Sequence, residues 1–165
     1  MKRWFAAIAS LAVAAAVLSA PGVAASERDD GGPLAAVKRA TAKFHNLDKA
    51  TDAGYGKLLN CFDLPGVGGM GQHYVNGSLL DAKLEPTKPE ALVYEVDGEK
   101  LRLVAVEYIV PFPAWDSSTP PRLFDHWFFR NDTLQLWALH AWIWRSNPLG
   151  TFANYNPNVK LCPGR

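Results

Sequence analysis

The chain has 165 residues, 48% of them hydrophobic, a content that excludes disorder for its bulk and suits one compact core. Its 17 Lys and Arg stand against 16 Asp and Glu. Such a balance gives no electrostatic reason to expect nucleic acid or an anionic membrane surface as a partner.

Residues 1–25 read as a cleaved signal peptide. Lys2 and Arg3 form a basic start, Trp4 to Leu18 carry no charge, and Val23-Ala24-Ala25 place small residues ahead of Ser26. The apolar run is too short and wrongly flanked for a membrane span, and no Cys follows it, so a membrane anchor is not expected. Losing Lys2 and Arg3 leaves 15 basic against 16 acidic side chains, a net charge of −1. The remainder, 26–165, is expected to be a single secreted or periplasmic α+β domain.

After a charged leader, Leu34, Val37, Phe44, Leu47 and Leu58 recur at helical spacing. Pro33 suits a first turn, and Gly54 and Gly56 mark an ending. One helix over about 34–60 is predicted, with a break allowed near Asn46 and His45 on its solvated side. Pro65 to Gly71 is glycine-rich but lacks the Lys-Ser/Thr ending of a phosphate loop; glycine there lets backbone pass close to another element. Gln72 to Asn76 reads as a short strand.

A hairpin follows, with strands over 91–96 and 99–110 and Asp97-Gly98 as its two-residue turn. That turn sets Tyr94 opposite Leu101, Leu92 opposite Leu103, and Glu95 opposite Lys100 as an exposed ion pair. Alternation then puts Leu101, Leu103, Ala105, Glu107 and Ile109 on one face. A proline-rich loop from Pro111 to Pro121 leads to strands over 123–129 and 134–143. In the last, Leu136, Ala138, His140, Trp142 and Trp144 share one face, and Trp137, Leu139, Ala141 and Ile143 the other. The pattern predicts an α+β fold: an N-terminal helix packed on a curved, mostly antiparallel sheet or partly open barrel of about five strands.

Cys61 and Cys162 are the only cysteines. In an oxidising compartment they are expected to pair and staple the C-terminal tail to the body.

Three ionisable residues fall on predicted strands among apolar neighbours: His73, Glu107 and His140. A buried carboxylate is costly unless it is paired or holds a cation, and imidazoles are its natural companions. Two His and one carboxylate from three strands can form a three-ligand site with an open position. Such a site suits Zn²⁺, Fe²⁺ or another divalent first-row ion, and can bind a small molecule or activate water. Trp142, on the His140 face, joins the set as a ligand-binding residue. The alternative is a hydrogen-bonded Glu107–His140 pair that organises the core, with His73 elsewhere.

Enzymatic use of the site is left open. Ser78, Ser117 and Ser118 lie in loops without a GxSxG turn, and a disulfide removes the thiol nucleophiles. Partnering Glu107 with Asp116 or Glu95 for glycoside cleavage meets the objection that Glu95 belongs to the outer face. A non-catalytic function class also fits: exposed Trp115 and Trp127, with Trp144 at a strand end, as a stacking platform for carbohydrate or another polymer. A secreted protein-interaction or inhibitor domain is the third. His126 is expected at the surface.

The segments Gly69-Met70-Gly71-Gln72-His73-Tyr74-Val75-Asn76, Leu103-Val104-Ala105-Val106-Glu107-Tyr108 and Leu136 to Trp144 also carry a resemblance. With Asn147-Pro148-Leu149-Gly150 and Asn156-Pro157, they resemble a group of small exported bacterial hypothetical proteins without an assigned activity. The resemblance implies a single exported domain and draws attention to His73, Glu107 and His140, but carries no residue role.

Overall fold

The computed structural model describes residues 31–164; the expected signal peptide, 1–25, lies outside the described residues. Helix α1 spans Pro33–Thr41 with Pro33 in its first turn, and buries Ala35, Val37 and Thr41. A 3₁₀ turn over Ala42–His45 and a short helix α2, Leu47–Asp52, follow. The break falls at Asn46, whose side chain accepts the Asp48 N–H at 2.8 Å and so caps α2.

The predicted helix is wrong beyond Asp52. Gly54 takes a φ of +92°, which ends the helix, and Gly56–Leu64 form strand β1. Leu58 fits helical spacing, but one residue does not fix a period. Pairing with the neighbouring strand β2, Gly68–Val75, decides it.

The other strands are β3 (Ala91–Asp97), β4 (Lys100–Pro111), β5 (Arg122–Leu123), β6 (His126–Trp127), β7 (Phe129–Asn131) and β8 (Leu136–Ala141). Six of them form an antiparallel sheet in the order β1-β2-β3-β4-β8-β7, curled into a half-barrel; β5 and β6 make a separate ribbon. The expected α+β class and curved antiparallel sheet hold, with six sheet strands instead of five.

One face of the sheet takes the helices. Val37, Phe44 and Ala50 pack there with Leu92, Tyr94, Leu103, Val106 and other apolar side chains of the sheet. The Tyr94 hydroxyl donates to the Phe44 carbonyl at 2.7 Å, tying helix to sheet. The opposite face carries a smaller cluster of Val93, Val104, Ala105, Trp142 and Val159. Val159 belongs to the C-terminal tail, which covers this second face. Cys61–Cys162 closes the tail onto β1 across 101 residues of sequence.

The hairpin register differs from the prediction. Asp97 pairs with Lys100, so Gly98-Glu99 form the loop, with Gly98 at a φ of +61°. Tyr94 therefore opposes Leu103 and Glu95 opposes Arg102. The next pair is Val93 with Ala105, which leaves Val104 as an extra, bulged residue. That bulge flips the alternation of β4. Leu101 and Leu103 go to the helix side, whereas Ala105, Glu107 and Ile109 go to the tail side; they do not share one face.

Glu95 is also corrected. It is 1% exposed, paired with Arg145 at 2.6 Å and accepting the Lys160 N–H at 3.0 Å. The tail folds over this carboxylate, an arrangement that local alternation does not encode. A second buried acid, Glu90, went unnoticed in the sequence. It accepts the Ile109 N–H at 3.0 Å, and burial pushes its carboxyl up to about 7.

Two further predictions fail locally. Phe124 and Asp125 adopt left-handed φ values of 51° and 62°, so 123–129 is a tight ribbon turn and not one strand. After Ile143 the chain bends, and the Trp144 and Arg145 amides both donate to the Val104 carbonyl at 3.1 Å. Trp144 thereby leaves the His140 face and packs against the helix-side cluster, next to the exposed His45 ring.

The glycine-rich segment allows close backbone approach, as expected. A Cβ on Gly69 would lie 2.5 Å from the Lys160 carbonyl oxygen, and one on Gly71, at a φ of +103°, 2.7 Å from that of Tyr94. Both obstacles are backbone, which cannot rotate away. Gly71→Ala should therefore destabilise the fold by about 2–3 kcal/mol, read as a lower denaturant midpoint at unchanged slope.

Candidate metal centre

His73, Glu107 and His140 converge on the tail side of the sheet. Glu107 on β4 pairs directly with His140 on β8, so their side chains start side by side. His73 on β2 pairs with Val93 on β3, one strand further away. The intervening β3 and β4 positions on this face include Ala91 and Ala105, both too small to stand between the groups. The curl of the sheet brings His73 across them.

The three groups meet at short range. His73 Nε2 and His140 Nε2 are 3.3 Å apart. Each also lies 3.4 Å from a carboxylate oxygen: Oε2 for His73 and Oε1 for His140. None of the three residues is more than 6% exposed. The expected trio is brought together, and the alternative with His73 elsewhere is not what the structure has.

The two ring nitrogens stand within hydrogen-bond range of each other, and the same spacing also suits coordination of one ion. N–H···O bonds run from 2.7 to about 3.2 Å, so contacts of 3.4 Å are long for a hydrogen-bonded triad. Ligand atoms held about 2.0–2.1 Å from one ion stand about 3.3–3.4 Å apart in a tetrahedron, and about 2.9–3.0 Å apart as octahedral neighbours. The two nitrogens match the tetrahedral spacing. The carboxylate straddles them with one oxygen toward each. These donors can hold a divalent ion.

Electrostatics agree with this reading. Burial pushes the Glu107 carboxyl up to about 8, with the Glu90 carboxylate adding to the effect. Burial pushes His73 down to about 4; the Gly71 backbone offsets part of this without forming a full hydrogen bond. His140 falls to about 3, from burial and then from the neighbouring His73. Both imidazoles thus offer neutral nitrogen donors at any pH near neutrality, and only Glu107 has a proton to lose. Neither Nδ1 has a hydrogen-bond partner among the described residues. An ion on Nε2 would fix the ring proton on Nδ1.

Two rings brace the imidazoles. The Phe62 ring meets His73 edge-on at 5.6 Å. Trp142 lies parallel to His140 at 5.8 Å and donates its indole N–H to the Ala153 carbonyl at 2.5 Å. Trp142, expected to bind ligand directly, stands beside the cluster, while the cavity walls are formed by other residues.

The cavity opens above the three ionisable groups, with a volume of about 190 Å³. Leu58, Phe62, Met70, Ile109, Leu136 and Ala138 form its walls. The sequence placed Ile109 on the Glu107 face and Leu136 and Ala138 on the His140 face; Leu58 was missed because it was read as helix, and Phe62 and Met70 were given no place at the site. Its shape depends on a bulge in β1: Leu58 pairs with His73 and Phe62 with Gly71, and Leu59 takes a φ of 52°. Gln72 donates to the Leu58 and Leu59 carbonyls at 3.0 and 3.2 Å and so satisfies the bulged backbone.

Trp115 is half-buried against the helix-side cluster, its indole N–H donating to the Thr119 carbonyl at 2.8 Å. Trp127 is 55% exposed beneath the Arg122 guanidinium, and His126 is exposed against the Phe152 ring. Compared with known proteins, the chain matches no family model, no curated protein and no solved structure.

Proposed function

We propose that this is an exported domain that binds one divalent metal ion, zinc above ferrous iron, through His73, Glu107 and His140. The observation that carries the reading is the 3.3 Å separation of two buried Nε2 atoms straddled by one carboxylate. Two imidazoles and a carboxylate with a free position are the donor set of ligand-binding and water-activating zinc sites. Such an ion could hold a small molecule or polarise a water, which leaves room for an enzymatic role. The apolar start of the sequence and the disulfide support an extracytoplasmic setting.

Polymer binding by Trp115 and Trp127 has less support. Trp115 is committed to packing, which leaves Trp127 as the one exposed indole among the described residues instead of a platform.

Elemental analysis of protein purified without chelator or affinity metal tests the proposal. About one equivalent of zinc or iron is expected. His140→Ala should weaken metal affinity by more than the roughly 10–100-fold typical of losing an outer hydrogen-bond partner of a ligand. No bound metal, together with no metal-dependent rise in melting temperature, would remove the reading.

A further inference from the structure

Resting on that reading, we propose that the ligand is a small organic monoanion, a monocarboxylate with an apolar aliphatic or aromatic body. Its carboxylate completes the coordination of the ion and its body fills the cavity. The first argument is charge. A divalent ion on two neutral imidazoles and one carboxylate leaves a net charge of +1 in a buried site. Uncompensated charge is costly away from water. One anionic group on the ligand cancels it; a dianion overshoots, and a neutral ligand leaves it standing.

The lining supplies the second argument. Among the described residues, the polar ones around the cavity apart from the three ionisable groups are the neutral Asn131, Asn154 and Tyr155, with no Lys or Arg. No cationic side chain of the described residues lines the cavity to meet a second negative charge. Asn131 is already engaged, its side-chain oxygen accepting the Leu134 N–H at 3.0 Å. A sugar, with hydroxyls all round, would leave most of them facing Leu, Met, Ile and Phe side chains.

Size and mouth give the third. A cavity of about 190 Å³ is smaller than the roughly 300 Å³ at which drug-sized pockets begin. At interior packing density it accommodates about ten non-hydrogen atoms. Phe129 and Leu134 line it while remaining 55% and 38% exposed, so they form an apolar rim. The part of the ligand furthest from the metal therefore meets hydrocarbon. Hexanoate and benzoate have the required size and polarity.

Cobalt(II) in place of the native ion separates this inference from the one beneath it, because its visible spectrum reports the metal and its ligands directly. Hexanoate and benzoate should change the spectrum of the Co(II)-loaded protein saturably. Neither should raise the melting temperature of chelator-treated protein. Methylene burial is worth roughly fourfold per group, so acetate should bind at least tenfold more weakly than hexanoate. 1-Hexanol and the dianion adipate should be similarly weak.

Phe129→Asp places a charge on the exposed rim, where the fold tolerates it. This variant should lower hexanoate affinity about tenfold and leave the Co(II) spectrum without ligand unchanged. If Co(II) binds but hexanoate is no tighter than acetate, hexanol or adipate, or Phe129→Asp has no effect, the ligand class is overturned and the metal centre stands. If Co(II) does not bind, the metal centre falls and this inference with it.

Discussion

Glu107→Gln should abolish the zinc-dependent rise in melting temperature and yet make the metal-free protein more stable than wild type at pH 8. The two effects have opposite signs because the carboxylate is costly alone and useful with an ion. Burial holds its carboxyl at about 8 in the folded protein, well above the ordinary carboxylate value of 4.5. The stability contribution of the protonated acid is thus fully present below about pH 4.5 and is lost as pH rises through 8. The metal-free wild type should resemble the Gln variant near pH 5 and fall behind it by a few kcal/mol at pH 8. Depressed imidazole pKa values act in both proteins and cancel from the comparison.

Zinc reverses the ordering. Binding displaces the Glu107 proton, so wild-type affinity should rise about tenfold per pH unit up to pH 8 and then level off. At a free zinc concentration 100 times Kd, the wild type should gain about 2.7 kcal/mol. Thermal melts of both proteins, with zinc and with chelator, across pH 5–9 measure all of this. If Glu107 instead anchors a structural hydrogen-bond network, Gln will destabilise the metal-free fold at every pH, and the metal centre loses its main support.

Replacing both cysteines, Cys61→Ser with Cys162→Ser, should lower stability by about 2–5 kcal/mol, or roughly 10–20 °C in Tm for a domain of this size. The bridge closes 101 residues, long enough for a large restriction of the unfolded chain. It also fixes the tail, where Asp63 accepts the Cys162 N–H at 2.7 Å and Gly69 pairs with Asn156. The metal ligands sit on β2, β4 and β8, so zinc affinity at low temperature should change less than about threefold. Ligands that reach Asn154 and Tyr155, on the tail's side of the cavity, should be affected more. Calorimetry of the two proteins with saturating zinc separates these effects. A double variant with unchanged Tm would mean that Glu95, Arg145 and the Gly69–Asn156 bridge hold the tail without the disulfide.

The sequence by itself picked out the three ionisable residues that the fold brings together, and the kind of fold around them. One Glu and two His among Val, Ala and Leu in extended segments announce a buried ionisable group, because alternation alone places a side chain against hydrocarbon. The Asp97-Gly98 pair announced a hairpin, one residue out of register, and two cysteines behind an apolar start announced their own pairing.

What only the tertiary structure decided was the geometry between strands. Val104 bulges out of the β3–β4 pairing, and that single extra residue puts Glu107 on the side where His73 and His140 stand. Glu95 is covered by Arg145 and Lys160, 50 and 65 residues away in sequence, and Leu58 becomes cavity wall because β2 offers it a partner. Side-chain period is a local property of the backbone. Register, curl and cover arise from contacts between distant segments, which no window of sequence contains.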